Sequence, residues 1–121
     1  MKKNNFYVLH ADVCKTLSNP RRQAVIDSLR HGSLTVNDLI EKTGIPQANL
    51  SQHLAILRTK GVVRTKKEGN HVYYSMSNPK ILEAYDLISE VLMEELKNRS
   101  DLVKESFKKF GISSGSGKMC P

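Results

Sequence analysis

From Thr35 to Met76 the chain reads TVNDLIEKTGIPQANLSQHLAILRTKGVVRTKKEGNHVYYSM, and no other stretch narrows its possible folds so far. The spacing predicts two short helices split by a tight turn, followed by a basic two-stranded hairpin. Thr35 and Asp38 form a capping box, with Asp in place of Glu, ahead of the apolar Leu39 and Ile40. Gly44 stops that helix where a positive φ is needed, and Pro46 restarts the chain with φ already near a helical value. The second helix buries Leu50, Leu54 and Leu57, and Gly61 ends it. Two helices at this separation make a helix-turn-helix, whose second member fits a DNA major groove.

The flanks read as mostly helical. From about Asn5 to Leu17, Phe6, Leu9, His10, Val13, Cys14 and Leu17 recur at three- and four-residue steps, an amphipathic first helix. Ser18-Asn19-Pro20 breaks it and caps the next, which turns Val25, Ile26 and Leu29 inward before Gly32 closes it. Val62 to Lys67 and His71 to Met76 are strand-like, joined by Glu68-Gly69-Asn70. Asn78-Pro79 starts a long helix with Ile81, Leu82, Tyr85, Ile88, Val91, Leu92 and Leu96 on one stripe. Ser100-Asp101 caps a further turn or two carrying Leu102, Val103, Phe107 and Phe110. The expected class is therefore mostly α with a small β-hairpin. Residues 1–110 form one DNA-binding and dimerisation domain, and residues 111–121, GISSGSGKMCP, form a flexible Gly/Ser-rich tail.

Charge supports a polyanionic partner. The 121 residues carry 19 Lys and Arg against 12 Asp and Glu, a net +7. Arg58, Lys60, Arg64, Lys66 and Lys67 fall together without an acid until Glu68, whereas Glu83, Asp86, Glu90, Glu94 and Glu95 crowd a later helix. The N-terminal run is polar, with no signal peptide or membrane span, which points to the cytoplasm. Two cysteines are too few for a disulfide scaffold. Catalysis finds no Gly-rich phosphate loop, no Gly-x-Ser-x-Gly and no His-Glu-x-x-His, so the chain reads as a non-enzyme without cofactor.

Helix geometry selects the residues that meet DNA. With Leu50, His53, Leu54, Ile56 and Leu57 inward, the second helix presents Ala48, Ser51, Gln52, Ala55 and Thr59, flanked by Gln47, Asn49 and Arg58. Gln and Asn bond adenine bidentately, Ser bonds base or phosphate, and Ala meets a thymine methyl. Lys66, Lys67, Asn70 and His71 lie near the hairpin tip, in reach of phosphates or the minor groove. His53 is expected half-buried and bonded to a nearby backbone group, at the edge of the DNA-facing set. The competing reading is a winged-helix module that holds a protein or RNA. The recognition helix argues against it, having no aromatic residue for stacking on bases and polar Ser51 and Gln52 where a protein-binding face is apolar.

The order of motifs resembles the ArsR/SmtB family of winged-helix repressors. The resemblance spans roughly Val8 to Leu96 and is carried by CKTLSNPRRQAVIDSL, SLTVNDLIEKTGIPQANLSQHLAILRTKGVV and the wing TKKEGNHVYYSM. It implies a homodimer held by the first and last helices, a palindromic operator, and repression relieved by a ligand, often a metal ion. The family's usual metal ligands are missing. Two thiolate positions align with Thr35 and Asn37, and the last helix, Pro79 to Leu96, has no histidine. Many relatives also carry Ser or Thr where Pro46 stands. Cys14 and Cys120 are then the candidate thiol sensor. Burial as a small hydrophobe is the default for Cys14, while the nine residues from Gly111 let Cys120 reach about 30 Å. The effector is open.

Overall fold

A computed structural model of the chain describes residues 3–109. The order is α1 (Lys3–Thr16), α2 (Pro20–Ser28), β1 (Leu34–Thr35), α3 (Val36–Thr43), α4 (Gln47–Thr59), β2 (Val63–Glu68), β3 (His71–Met76) and α5 (Lys80–Lys109). Phe110 and the tail with Cys120 lie outside the described residues. These fall into two compact units, one ending at Glu83 and the other starting at Ala84.

Local chemistry sets the helix ends. Asn19 Oδ1 accepts from the backbone N–H groups of Arg21 (2.9 Å) and Arg22 (3.3 Å), with Pro20 in the first turn where its missing N–H costs nothing. Thr35 Oγ1 accepts from the Asp38 N–H at 3.2 Å while Asp38 Oδ2 accepts from the Thr35 N–H at 3.1 Å, completing the expected capping box. These hydrogen bonds from Thr35, helped by Lys42 and His71, hold the Asp38 carboxyl below its ordinary value of 3.8. Gly44 ends α3 at φ 70°, a left-handed conformation that a side chain would resist. Asn78 Oδ1 accepts from the Lys80 N–H at 2.9 Å and opens α5.

The first unit has one core. Val25, Ile26 and Leu29 meet Leu39, Ile45, Leu50, Leu54 and Leu57, closed by Val62, Val63 and Leu82, all buried. The carbonyls at the end of α1 are taken up from α2, since Arg22 Nη1 donates to Thr16 O (3.2 Å) and Gln23 Nε2 to Leu17 O (2.9 Å). An ion pair of 2.9 Å joins Asp12 of α1 to Lys60 beyond α4. The apolar side chains of α1 remain exposed, among them Phe6, Tyr7, Leu9 and Val13.

Three expectations need correction. The sheet has three antiparallel strands in the order β1-β3-β2, because Leu34 pairs with Tyr74 and Thr35 with Tyr73. The turn between β2 and β3 is shorter than expected. Glu68 pairs with His71, leaving only Gly69 and Asn70 between the strands, with φ 62° at Gly69 and no positive φ at Asn70, as in a II′ hairpin. Ser100-Asp101 starts no new helix, since α5 runs unbroken to Lys109. Ser and Asp favour caps only where the backbone ladder is already broken, and here the i→i−4 ladder continues through them.

Within the second unit, α5 presents Leu87, Ile88, Val91, Leu92, Met93, Leu96, Leu102 and Val103 exposed. Most of them extend the stripe seen in the sequence. No helix among the described residues is long and apolar enough to cross a membrane.

Candidate nucleic-acid interface

The register of α4 is decided by its three buried leucines. With Leu50, Leu54 and Leu57 sealed into the core, Gln47, Ala48, Asn49, Ser51, Gln52, Ala55, Arg58 and Thr59 all face solvent. Among the described residues, the side chains of Gln47, Asn49, Ser51, Gln52 and Arg58 make no hydrogen bond or ion pair within the chain. Their polar groups are open to solvent, and exchanging water for a base edge or a phosphate breaks no internal contact. Pro46, at the N-cap with φ −57° and ψ 146°, offers no side-chain acceptor to the first turn.

The hairpin sorts its cations by face. Directly opposed residues in an antiparallel pair share a face, so Lys66 lies with Tyr73, Glu68 with His71 and Arg64 with Ser75 on the outer side. Thr65 with Tyr74 and Lys67 with Val72 lie on the inner side, continuous with buried Val63. Lys66 makes only an exposed contact of 3.4 Å with Glu68, too weak to compete with a phosphate. The His71 and Tyr73 rings stand edge to face at 6.4 Å on the outer side. Asn70 caps the tip. The basic run is less uniform than its sequence implied. Lys60 is engaged by Asp12 at 2.9 Å, and Arg64 Nη2 donates to the Ser77 carbonyl. Both hold the fold together, leaving Arg58, Lys66 and Lys67 as the cations presented by helix and wing.

Between α4 and β3 lies a cleft of about 480 Å³, lined by Val36, Ser51, Leu54, Ala55, Arg58, Thr59 and Tyr74. Sequence reasoning missed Tyr74. It alternates with Tyr73 along β3, and the register that sets it opposite Thr65, on the face of buried Val63, puts it rather than Tyr73 in the wall of the cleft.

His53 departs from expectation in one respect. It is half-buried as foreseen, but its Nδ1 is buried with no partner, and so is Nε of Arg22. Burial, reinforced by Arg22 and Arg21, holds its pKa below the ordinary 6.5. The folded chain thus keeps His53 neutral at a pH where the unfolded chain protonates it. Stability is full above 6.5 and falls as pH drops from there through the lower folded value. Urea midpoints at pH 7.5 and 5.5 are expected to differ less in His53→Gln than in the unmodified chain. An unchanged difference would assign the acid sensitivity to another group.

Cys14 is exposed on α1, not buried, with Sγ 3.6 Å from Nδ1 of His10 one turn earlier. Within the chain the residues around it on α1 find too little core to cover them. Cys120 lies outside the described residues, so its meeting with Cys14 stays a reading of the sequence.

A family model described as "Bacterial regulatory protein, arsR family" matches residues 19–65, from the cap of α2 into β2. The chain is 32% identical over 106 residues to the HTH-type transcriptional regulator Rv0081 of Mycobacterium tuberculosis, covering 87% of this chain and 93% of that one. It is 33% identical over 82 residues to the transcriptional repressor PagR of Bacillus anthracis, covering 67% and 82% respectively. The crystal structure of Rv0081 superposes with a TM-score of 0.72 at 35% identity, covering 78% of this chain and 95% of that one. The solution structure of the homodimeric winged helix-turn-helix DNA-binding domain of Mb0332 from Mycobacterium bovis gives 0.72 at 28% identity, covering 79% and 89%.

Proposed function

The chain belongs to the arsR family of bacterial regulatory proteins, and we propose that it is a homodimeric repressor that reads a palindromic operator with two recognition helices and two wings. It is a transcriptional regulator, as its relatives are. The observation that carries the finer reading is the face of α4, a row of exposed polar side chains with no internal partner beside a cationic hairpin.

In this reading Gln47, Asn49 and Gln52 meet base edges, where amide side chains discriminate. Lys66, Lys67 and Asn70 hold phosphates and supply affinity without sequence preference. Arg58 joins them from the helix, and His53 supports the helix from beneath. Residues 1–110 act together as the DNA-binding and dimerisation domain. A second copy covers the exposed apolar faces of α1 and α5, which spaces the recognition helices about one DNA turn, roughly 34–36 Å, apart. The sign of regulation follows PagR, a repressor.

Selection of bound fragments from the source genome tests this directly. Enriched fragments are expected to share an inverted repeat with half-sites one turn apart, and deleting the gene should raise transcription beside them. No enrichment, or enrichment of RNA or protein instead, would favour an interaction module. On the selected operator Gln52→Ala should cost about 1–3 kcal/mol, with little change on random duplex. Lys66→Ala should weaken both alike and flatten the plot of log K against log salt by about one unit per protomer. Equal losses on both DNAs for Gln52→Ala would make it a backbone contact.

A further inference from the structure

We propose that the cleft between α4 and β3 seats the single sugar-phosphate strand that divides the major groove from the adjacent minor groove, gripping one phosphodiester per half-site. The inference rests on the DNA-binding reading above and deepens it with a defined place on the duplex.

Duplex geometry supplies the first part of the argument. Neighbouring major and minor grooves are separated by one backbone strand. A helix in the major groove and a hairpin tip in the adjacent minor groove must therefore pass on either side of that strand. The gap between helix and hairpin is where it has to lie. Here the gap is an open cleft of about 480 Å³, not a packed seam.

The chemistry of the walls supplies the second. Arg58 brings five N–H donors, and Ser51, Thr59 and Tyr74 each bring a hydroxyl. None of these four side chains has a hydrogen-bond or ion-pair partner among the described residues. No carboxylate lines the cleft, so a cation finds no counter-charge there. A phosphodiester is an acceptor-only anion and suits a wall whose four polar side chains can all donate. Val36 and Ala55 add small apolar surface, which accommodates the face of a deoxyribose. Ser51 and Arg58 then position the strand from the helix side while Tyr74 does so from the wing. Base reading is left to Gln52 and its neighbours, outside the cleft.

Ethylation interference on the selected operator, with the full chain, tests the proposal. For the unmodified protein, ethylating one phosphate per half-site, between the two groove contacts, should block binding. Tyr74→Phe and Arg58→Gln should each bind operator and random duplex about tenfold less tightly and should lose the sensitivity to that ethylation. Arg58→Gln should also flatten the log K against log salt plot by about 0.9 per protomer, whereas the uncharged Tyr74→Phe leaves the slope alone. Thermal unfolding of Tyr74→Phe close to that of the unmodified chain ties the effect to the lost hydroxyl. Variants that remain as sensitive as the unmodified protein to every ethylated phosphate would overturn the inference. So would release of DNA by millimolar inorganic phosphate that depends on Arg58, which would give the cleft to a free anion. In either case Gln52→Ala can still abolish specificity, leaving the regulator reading intact. A protein that binds no duplex at all overturns both.

Discussion

Ile88→Glu is expected to convert a dimer of this chain to a monomer and lower its operator affinity by about 10²–10⁴-fold, with half-site affinity unchanged. Ile88, Val91 and Leu92 are 70%, 64% and 55% exposed, so the substitution removes nothing from the fold of the single chain. They sit on a helix with further exposed apolar residues to Val103, more than a monomer usually leaves open to water. Covering each such side chain stabilises the assembly by about 1.5–3 kcal/mol. A glutamate at the centre of that contact is a desolvated charge with no partner, which outweighs the apolar gain. The loss in affinity follows because two helices that bind as one body raise each other's effective concentration. Light scattering at micromolar concentration reads the mass, and titration of whole operator against a single half-site reads the coupling. A variant that stays dimeric, or a monomer that holds the whole operator as tightly, would place the dimer contact elsewhere.

Leu54→Ala should destabilise the fold by about 2–5 kcal/mol, the range for a large side chain removed from a packed core. Leu54 is 2% exposed and belongs to the row that seats α4 on α2 and α3. It also forms part of the floor of the cleft beside Ser51 and Ala55. The void therefore opens directly beneath the exposed polar face of α4. Urea unfolding gives the number, provided every variant is measured at one protein concentration, since association adds to the apparent stability. Gln52→Ala on the opposite face is the control and should move the midpoint by less than about 0.5 kcal/mol. A loss for Leu54→Ala as small as the control's would mean that α4 is not held by the core.

The helix-turn-helix was open to sequence reasoning because its signals are local and redundant. Asn19, Thr35 and Asp38 act through hydrogen bonds to N–H groups two or three residues away, and Gly44 acts through its own φ. Leucines at helical steps then settle which face of α4 is wet. What stayed hidden depends on distant pairing. Leu34-Thr35 is too short to show a strand period, and becomes one only against β3. Lys60 and Arg64 read as part of a basic patch, yet each is taken by a partner, Asp12 and Ser77, far away in sequence. Tyr73 and Tyr74 are interchangeable in composition and differ only in the side of the sheet they occupy. Half-burial of His53 followed from its place beside the leucines, but its unpartnered Nδ1 and the charges of Arg22 and Arg21 that help to lower its pKa did not, since those charges come from another helix.

The two-residue turn at Gly69 and Asn70 leaves the hairpin no slack at its tip. Side chains alternate strictly along each arm, so one residue gained or lost by a single arm turns over everything between the change and the tip, exchanging the faces of Lys66 and Lys67. Two residues added to each arm, as two opposed pairs, keep every existing side chain on its face and carry the tip about 7 Å further out. The length of such a hairpin is therefore inherited in matched pairs. Among descendants of this chain, the reach of the wing can drift in even steps while its chemistry stays as it is, and an odd step demands a compensating bulge in the same arm.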